Sequence, residues 1–334
     1  MPTFCRHNRF LERCPICSKD LPGAAPSSSG RAPRSAGKRT RTHAAEGRSR
    51  GGRGQALRVH REGRAEDDGY RSELVPGVRA AADARRLAQE VAFASSRLLA
   101  LGSDPPGLYG EARALAASDL EQASWMCFLI AYLSPTEDRE DPFAAIRAVL
   151  DDAPLDGELP DLSDVAVGPR SSHEPARGAA TLLAYRQWVQ RSGGTQAAAL
   201  AGDEGWTPQR RFERLFERLA LPGLARTGRY ELLVTLGRLG LYELSADSLH
   251  LGAARGALGG EDAATVAAKR VFGIGDPLLL ERRAAKLAQE IAVPIEALDL
   301  ALANWGASER ATLGCPPDAL DEDAEGRAAD ALGL

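Results

Sequence analysis

The sequence predicts an all-α protein, because helical patterns of apolar residues recur along the chain and strand patterns are almost absent. Residues 211–219 and 230–239 each place large apolar side chains at the spacing of one helix face. With 334 residues, 44% of them hydrophobic, the chain is long enough to bury a sizeable core. One large helical domain, or two smaller ones, is therefore expected.

About eight to ten helices are expected along the body of the chain. The longest largely apolar run, Ala123 to Leu133, has 11 residues. A membrane span needs about 18 residues or more, so this run predicts a buried helix. Ser118 is a candidate N-cap for the same segment, and Pro135 ends it. The expected helical segments are 78–101, 119–133, 141–150, 179–190, 211–219, 230–239, 263–271, 277–291 and 295–305.

The charge is segregated along the chain, although the formal net charge is only −4. Residues 31–64 contain 11 Lys and Arg against two acidic residues, whereas residues 65–334 carry a net −15. Arginine binds phosphate in a bidentate manner, so the basic segment indicates a nucleic-acid partner. Coding bias in a GC-rich genome accounts for Arg over Lys, but it does not explain the clustering. Because no membrane span or signal peptide is evident, a cytoplasmic location is expected.

Composition divides the chain into four expected parts. Residues 1–21 form a compact unit, and residues 22–70 form a disordered basic linker rich in Arg, Gly and Ser. Residues 71–312 form the helical domain, in which residues 151–175 are an acidic surface loop. Residues 313–334 form an acidic, flexible tail.

The N-terminal unit carries the spacing of a structural zinc site. Cys14 and Cys17 form a CxxC pair, and Cys5 and His7 are available to complete a tetrahedral set. Four protein ligands close such a site, so the zinc would stabilise folding and would take no part in catalysis. The alternatives are that only the CxxC pair binds metal, or that these cysteines are ordinary thiols.

A helix–hairpin–helix pattern lies between residues 263 and 291. The first helix ends in Gly273-Ile274-Gly275, and the second begins at Asp276-Pro277, with Pro277 at the first helical position. Paired glycines let backbone N–H groups approach a DNA phosphate, and Ile274 would hold the hairpin against the core. Two glycines between helices also occur as plain C-caps. The flanking basic residues are either phosphate contacts or solvated helix faces; they are Lys269, Arg270, Arg282 and Arg283.

This region resembles the helix-hairpin-helix DNA glycosylase superfamily. There the hairpin is followed, about 20 residues later, by a catalytic aspartate. Asp299 lies 24 residues beyond Gly275, in the matching place. The segment from Trp125 to Ser134 is similar to the superfamily's first apolar helix. The N-terminal cysteine segment and the amino-acid sequence of the hairpin more closely resemble one branch of the superfamily. That branch is named for α-glutamyl/putrescinyl-thymine pyrophosphorylases.

The resemblance implies a DNA glycosylase that excises a bulky modified pyrimidine, with phage DNA as its partner and defence against phages as its role. Asp299 would stabilise the positive charge that develops on the sugar, with Glu296, one turn earlier, as the alternative carboxylate. The flipped base would enter a pocket lined by aromatic and polar groups. The candidates for that lining are Trp125, Tyr132, Asn304 and Trp305, of which Trp125 and Tyr132 have helix-core positions as their alternative.

Three departures from the superfamily pattern bear on this expectation. The usual hairpin proline is Phe272 here, and the lysine that forms a Schiff base is replaced by Pro277. The enzyme is therefore expected to be monofunctional, cleaving the glycosidic bond without cutting the strand. The glutamine-containing turn after the first helix is replaced by Ser134-Pro135-Thr136, so the superfamily's way of filling the gap left by a flipped base is not expected here.

Two other functions stay open at this point. The first is a pyrophosphorylase or transferase that installs a base modification, although no nucleotide-binding motif is evident beyond the hairpin. The second is a non-catalytic DNA-binding protein that combines the zinc site and the hairpin.

Overall fold

The computed structural model of this chain describes residues 65–138, 140–152, 157–253 and 260–334. Within these ranges the chain is helical and contains no β-strand, which confirms the predicted all-α class. The helices are α1 (Ala81–Ser103), α2 (Leu108–Leu115), α3 (Leu120–Leu133), α4 (Ala144–Asp152), α5 (Gly178–Arg191), α6 (Gln196–Ala201), α7 (Pro208–Arg218), α8 (Arg226–Arg238), α9 (Ala263–Phe272), α10 (Pro277–Ile291), α11 (Ile295–Gly306) and α12 (Glu322–Leu332).

Two helices form the centre of the body. Every residue of α3 from Ala123 to Leu133 is buried, as its apolar composition predicts, and α3 packs against α2, α4, α6 and α8. Every residue of α11 from Glu296 to Trp305 is also buried, against α1, α9 and α10. Because α11 carries acidic and amide side chains into this interior, those groups need partners there.

The C-terminal residues differ from the flexible tail that the sequence predicted. Helix α12 buries Ala324, Ala328 and Leu332 against α1, and Asp321 caps it by accepting a hydrogen bond from the Ala324 N–H. The spacing of four residues places these side chains on one face. Two of the three are alanines, which are only weakly hydrophobic, so the buried face produces little apolar periodicity. The acidic composition therefore predicted a flexible tail and not a helix.

Helix α8 begins one turn earlier than the predicted 230–239 segment. Its first turn contains Arg226, Thr227 and Gly228, which show no apolar periodicity. The extra turn carries Arg226 into the interior, where it is only 2% exposed. This boundary matters because Arg226 belongs to the charged cluster described below.

The beginning of the described body packs against its other parts. The Gly77 N–H donates to the Val271 carbonyl at the end of α9 (2.9 Å), and the Tyr70 hydroxyl donates to the Leu332 carbonyl of α12 (2.6 Å). A side chain at position 77 would collide with the Arg270 carbonyl at 1.9 Å, so glycine is required there. Residues 65–70, expected to be linker, include Tyr70 packed against the core.

The proposed zinc ligands Cys5, His7, Cys14 and Cys17 lie outside the described residues. The part of the chain that is described contains no cluster of three or more His, Cys, Asp or Glu side chains suited to a metal ion. Among the same residues, no helix is both long enough and apolar enough to span a bilayer.

Candidate functional site

A cavity of about 400 Å³ lies between the segment 169–174, the first turns of α8 and α9, and the end of α11. This volume is within the range of small-molecule pockets. Its wall includes Arg170, Ser172, His173, Asp262 and Asn304. The cavity therefore gathers polar side chains from segments that are far apart in the sequence.

Asp299 lies behind this wall in a cluster of buried charges. One carboxylate oxygen accepts a hydrogen bond from Arg170 and the other accepts one from Arg226. Arg226 also pairs with Asp262 (3.3 Å), which caps α9 by accepting from the Thr265 N–H. Arg170, Arg226 and Asp299 are all more than nine-tenths buried. Two carboxylates and two guanidinium groups thus compensate one another in the interior.

The arginines determine the protonation state of Asp299. Burial by itself would raise the pKa of this carboxyl, but the charges of Arg226 and Arg170 outweigh that effect and hold the pKa below its usual value. Asp299 is therefore ionised at neutral pH. It does not line the cavity, whereas Arg170 does, so Arg170 separates the carboxylate from the open space.

Glu296, the alternative carboxylate, has a different environment. It accepts a hydrogen bond from the Ala246 N–H (3.1 Å) and pairs with Arg238 (3.2 Å). It neither lines the cavity nor contacts a residue of the Asp299 cluster through these bonds. Its described contacts hold the loop after α8 against α11, so the geometry connects Asp299, and not Glu296, with the cavity.

The structure separates the four residues expected to line a base pocket. Asn304 lines the cavity, but its amide both donates to and accepts from the backbone of Ala311 (3.2 and 3.0 Å). Tyr132 approaches the cavity indirectly, because its hydroxyl bonds His173 Nδ1 (3.1 Å) and His173 lines the wall.

The two tryptophans lie elsewhere, which corrects the expectation. Trp125 stacks on Phe128 in the core of α3, with ring centroids 5.4 Å apart. The Trp305 indole N–H donates to the Asp83 carbonyl (2.9 Å), which turns the ring towards α1. Neither ring lines the cavity.

The helix–hairpin–helix has the expected local geometry. Gly273 ends α9 in the left-handed conformation (φ 64°), and Asp276 caps α10 by accepting from the Leu279 N–H (3.0 Å). Ile274 is half-buried against the core, as predicted. Gly273 lies against the backbone of Gly77, whereas Gly275 is exposed with open space around it. Only Gly275 thus presents unobstructed backbone at the surface of the hairpin.

The basic residues beside the hairpin are mostly engaged within the chain. Lys269 pairs with Glu261, and the Arg270 guanidinium lies 5.4 Å from the centroid of the Trp305 ring. Arg283 donates to the Phe272 carbonyl (2.6 Å). Arg282 is exposed and makes no hydrogen bond or ion pair within the described residues. The structure thus leaves Arg282 as the most accessible phosphate contact of the four.

Several polar residues of the site were missed by sequence reasoning, among them Arg170, Ser172 and Arg226. Arg170 and Ser172 follow Gly168-Pro169 in a segment assigned as an acidic surface loop, and Arg226 precedes the apolar pattern of α8. The pairs with Asp299 span 129 and 73 residues. Contacts over such distances leave no local pattern, so neither composition nor periodicity signals them.

These features define a class of protein: an all-α body with a charged, partly enclosed cavity. Residues 170–312 match the family described as alpha-glutamyl/putrescinyl thymine pyrophosphorylase, clade 3. The match includes every cavity residue except Pro169, together with Arg226 and Asp299. It agrees with the branch resemblance given from the sequence, and the family it names is linked to thymine modification. It does not extend to the wider glycosylase superfamily. Comparisons with curated proteins and with solved structures gave no significant match.

Proposed function

We propose that this chain hydrolyses the N-glycosidic bond of a bulky modified pyrimidine in DNA, with the base held in the cavity beside Arg170. The observation that carries the proposal is Asp299, a carboxylate kept ionised behind the wall of a cavity large enough for a modified base. The thymine-modification link of residues 170–312 agrees with a pyrimidine substrate, although it favours no particular bond. The biological role would be defence against phages with modified DNA.

The chemistry requires a negative charge near the sugar. Breaking the bond between base and sugar builds oxocarbenium character, which an ionised carboxylate stabilises. Asp299 is suited to this because its two arginines hydrogen-bond to the carboxylate and keep it ionised, without transferring a proton to it. Pro277 has no amine to attack the sugar, so the reaction would leave an abasic site in an uncut strand.

Access to Asp299 requires a movement of Arg170. In the structure the Arg170 guanidinium covers the carboxylate on the cavity side. A sugar would reach Asp299 after Arg170 had turned towards another anion, for which a substrate phosphate is suited. Arg226 would meanwhile hold Asp299 in place, since it bonds the other carboxylate oxygen and is itself held by Asp262.

The test is base release from phage DNA that carries modified pyrimidines. The full-length protein should generate abasic sites and free base, and Asp299→Asn should lower the rate at least a hundredfold. Glu296→Gln is the matched control, because it neutralises an equally buried carboxylate one turn earlier on the same helix. Melting temperatures of both variants show whether lost activity reflects lost folding. Equal loss in both variants, or none in Asp299→Asn, would remove Asp299 from the mechanism.

A second function is favoured by the family match itself. A pyrophosphorylase or transferase would act on a diphosphate-activated pyrimidine, and Arg170 is placed to bind such a group. The two are separated by DNA that carries a diphosphate-activated pyrimidine together with an amine: this enzyme would join the amine to the base, release diphosphate and release no free base. DNA binding with neither product would instead indicate a non-catalytic DNA-binding protein.

A further inference from the structure

The first turn of α8, which lies beside the cavity, has uncapped backbone donors. Ala225 occupies the N-cap and offers no side-chain acceptor, and Ala225 and Thr227 both line the cavity. Within the described residues, no acceptor is found for the N–H groups of Arg226, Thr227 and Gly228. A helix N-terminus carries a partial positive charge of roughly half a unit, so these donors favour an anion.

Two buried side chains on the same wall add donors that lack partners. The Ser172 hydroxyl and the Arg170 Nε are buried and make no hydrogen bond in the described part of the chain. Both residues are at least nine-tenths buried, and both line the cavity. The Ser172 Oγ lies 2.5 Å from the place a Gly228 Cβ would take, so it lies against the first turn of α8. Buried polar groups left unpaired in this way are costly, so an acceptor that reached them from the cavity would stabilise the site.

Four carboxylates also line the cavity, and three of them are already paired. Glu174 pairs with Arg177, Glu261 with Lys269, and Asp262 with Arg226. Glu309 is exposed. The donors therefore face a wall whose negative charge is largely neutralised within the chain.

We propose that these donors form a phosphate-binding subsite, in which one phosphate group of the substrate binds the first turn of α8, the Ser172 hydroxyl and the Arg170 Nε. The subsite deepens the proposed function and rests on it only for the identity of the molecule that carries the phosphate. That group is either a DNA backbone phosphate beside the target base or a phosphate attached to the base itself. In both cases phosphate binding would draw Arg170 away from Asp299 and so expose the carboxylate.

The decisive comparison is Thr227→Glu against Thr227→Gln in the full-length protein. Glutamate adds a negative charge inside the subsite, while glutamine adds the same bulk without charge. A carboxylate in the first turn of a helix is stabilising, so Thr227→Glu should melt no lower than Thr227→Gln. Inorganic pyrophosphate is the probe, with its dissociation constant measured by calorimetry. We expect Thr227→Glu to raise that constant at least tenfold over Thr227→Gln, and Ser172→Ala to raise it roughly three- to tenfold over wild type.

Binding of pyrophosphate to the basic segment 31–64 is common to both variants and cancels in the comparison. Equal constants for Thr227→Glu and Thr227→Gln would overturn the subsite, as would a wild type that binds no pyrophosphate at millimolar concentration. Duplex DNA binding of the same pair then identifies the source. A loss for DNA as well as pyrophosphate supports a backbone phosphate, and a loss for pyrophosphate alone supports a phosphate on the base. Base release is read separately, so a failure of the subsite can be distinguished from a failure of the proposed hydrolysis.

Discussion

Arg226 and Asp299 form an ion pair in which both side chains are almost completely buried, although they lie 73 residues apart on α8 and α11. Removing one partner of such a pair leaves an uncompensated charge in the interior. We therefore expect Arg226→Met to lower the free energy of unfolding by about 3–5 kcal/mol, measured by urea denaturation. Arg282→Met, at an exposed position, should change it by less than about 0.5 kcal/mol. A loss below about 1 kcal/mol in Arg226→Met would mean that Arg170 alone compensates Asp299.

The exposed hairpin glycine allows a test of DNA binding that spares the fold. A Cβ at Gly275 would meet no atom within 4 Å, and its φ is not in the left-handed region. Gly275→Ala should therefore fold normally. If backbone at this position approaches a phosphate closely, the added methyl group should weaken duplex binding roughly five- to tenfold in a fluorescence anisotropy titration. Gly326→Ala in α12, also in open space, is the control and should bind as wild type does. An unchanged affinity for Gly275→Ala would place the DNA contact elsewhere.

His250 should make stability depend on pH in the weakly acidic range. Its ring stacks on Phe216 with centroids 4.1 Å apart, and burial, reinforced by the charge of Arg226, lowers its pKa to about 4. Between pH 4 and the unfolded value near 6.5, the unfolded chain binds a proton that the folded chain does not. Stability contributed by neutral His250 is therefore lost as pH falls from about 6.5 to 4.

Replacing His250 by asparagine isolates this effect. Asparagine does not titrate and tolerates the left-handed backbone at this position (φ 54°). The melting temperature of His250→Asn should be lower than that of wild type at pH 7, because the stacking is lost. The difference between the two melting temperatures, called the gap below, should narrow towards pH 4. A gap that stays constant with pH would show that His250 does not carry the dependence.

The zinc prediction is tested by metal analysis of the full-length protein. One zinc ion per chain is expected in wild type, and Cys14→Ser should remove most of it because a tetrahedral site would lose one of its four ligands. Cys315→Ser is the control, since Cys315 is buried in the helical body and is about 300 residues from the proposed ligands in the sequence. Wild-type protein purified without stoichiometric zinc would refute the site.

The amphipathic helices could be predicted because burial on one side forces a periodic pattern. Helix α3 was evident from its apolar run, and α10 from its cap at Asp276 and the following proline. Helices α2 and α6 escaped prediction because they are short, and α12 because its buried face is mostly alanine. Their burial depends on partners that are distant in the sequence.

Only part of the candidate site could be predicted from the sequence. Asp299 was indicated by the resemblance to the glycosylase superfamily, whose catalytic aspartate follows the hairpin, whereas Arg170 and Arg226 had no pattern to identify them. The tryptophans show the converse error. Trp305 is aromatic and near Asp299 in sequence, yet its indole N–H is satisfied by the Asp83 carbonyl of α1. An aromatic residue's role depends on which neighbour accepts its hydrogen bond, and that neighbour is set by the tertiary fold.

The hydrogen bond from Tyr70 to the Leu332 carbonyl has a consequence for how this body can be rearranged. It holds the first and last parts of the described chain side by side, although 262 residues separate them. With residues 1–64 removed, a short linker could therefore join them, while new termini are opened at the Gly193-Gly194 turn between α5 and α6. Such a circular permutant would keep the cavity and the Asp299 cluster intact, because the order of the chain would change while every helix kept its neighbours.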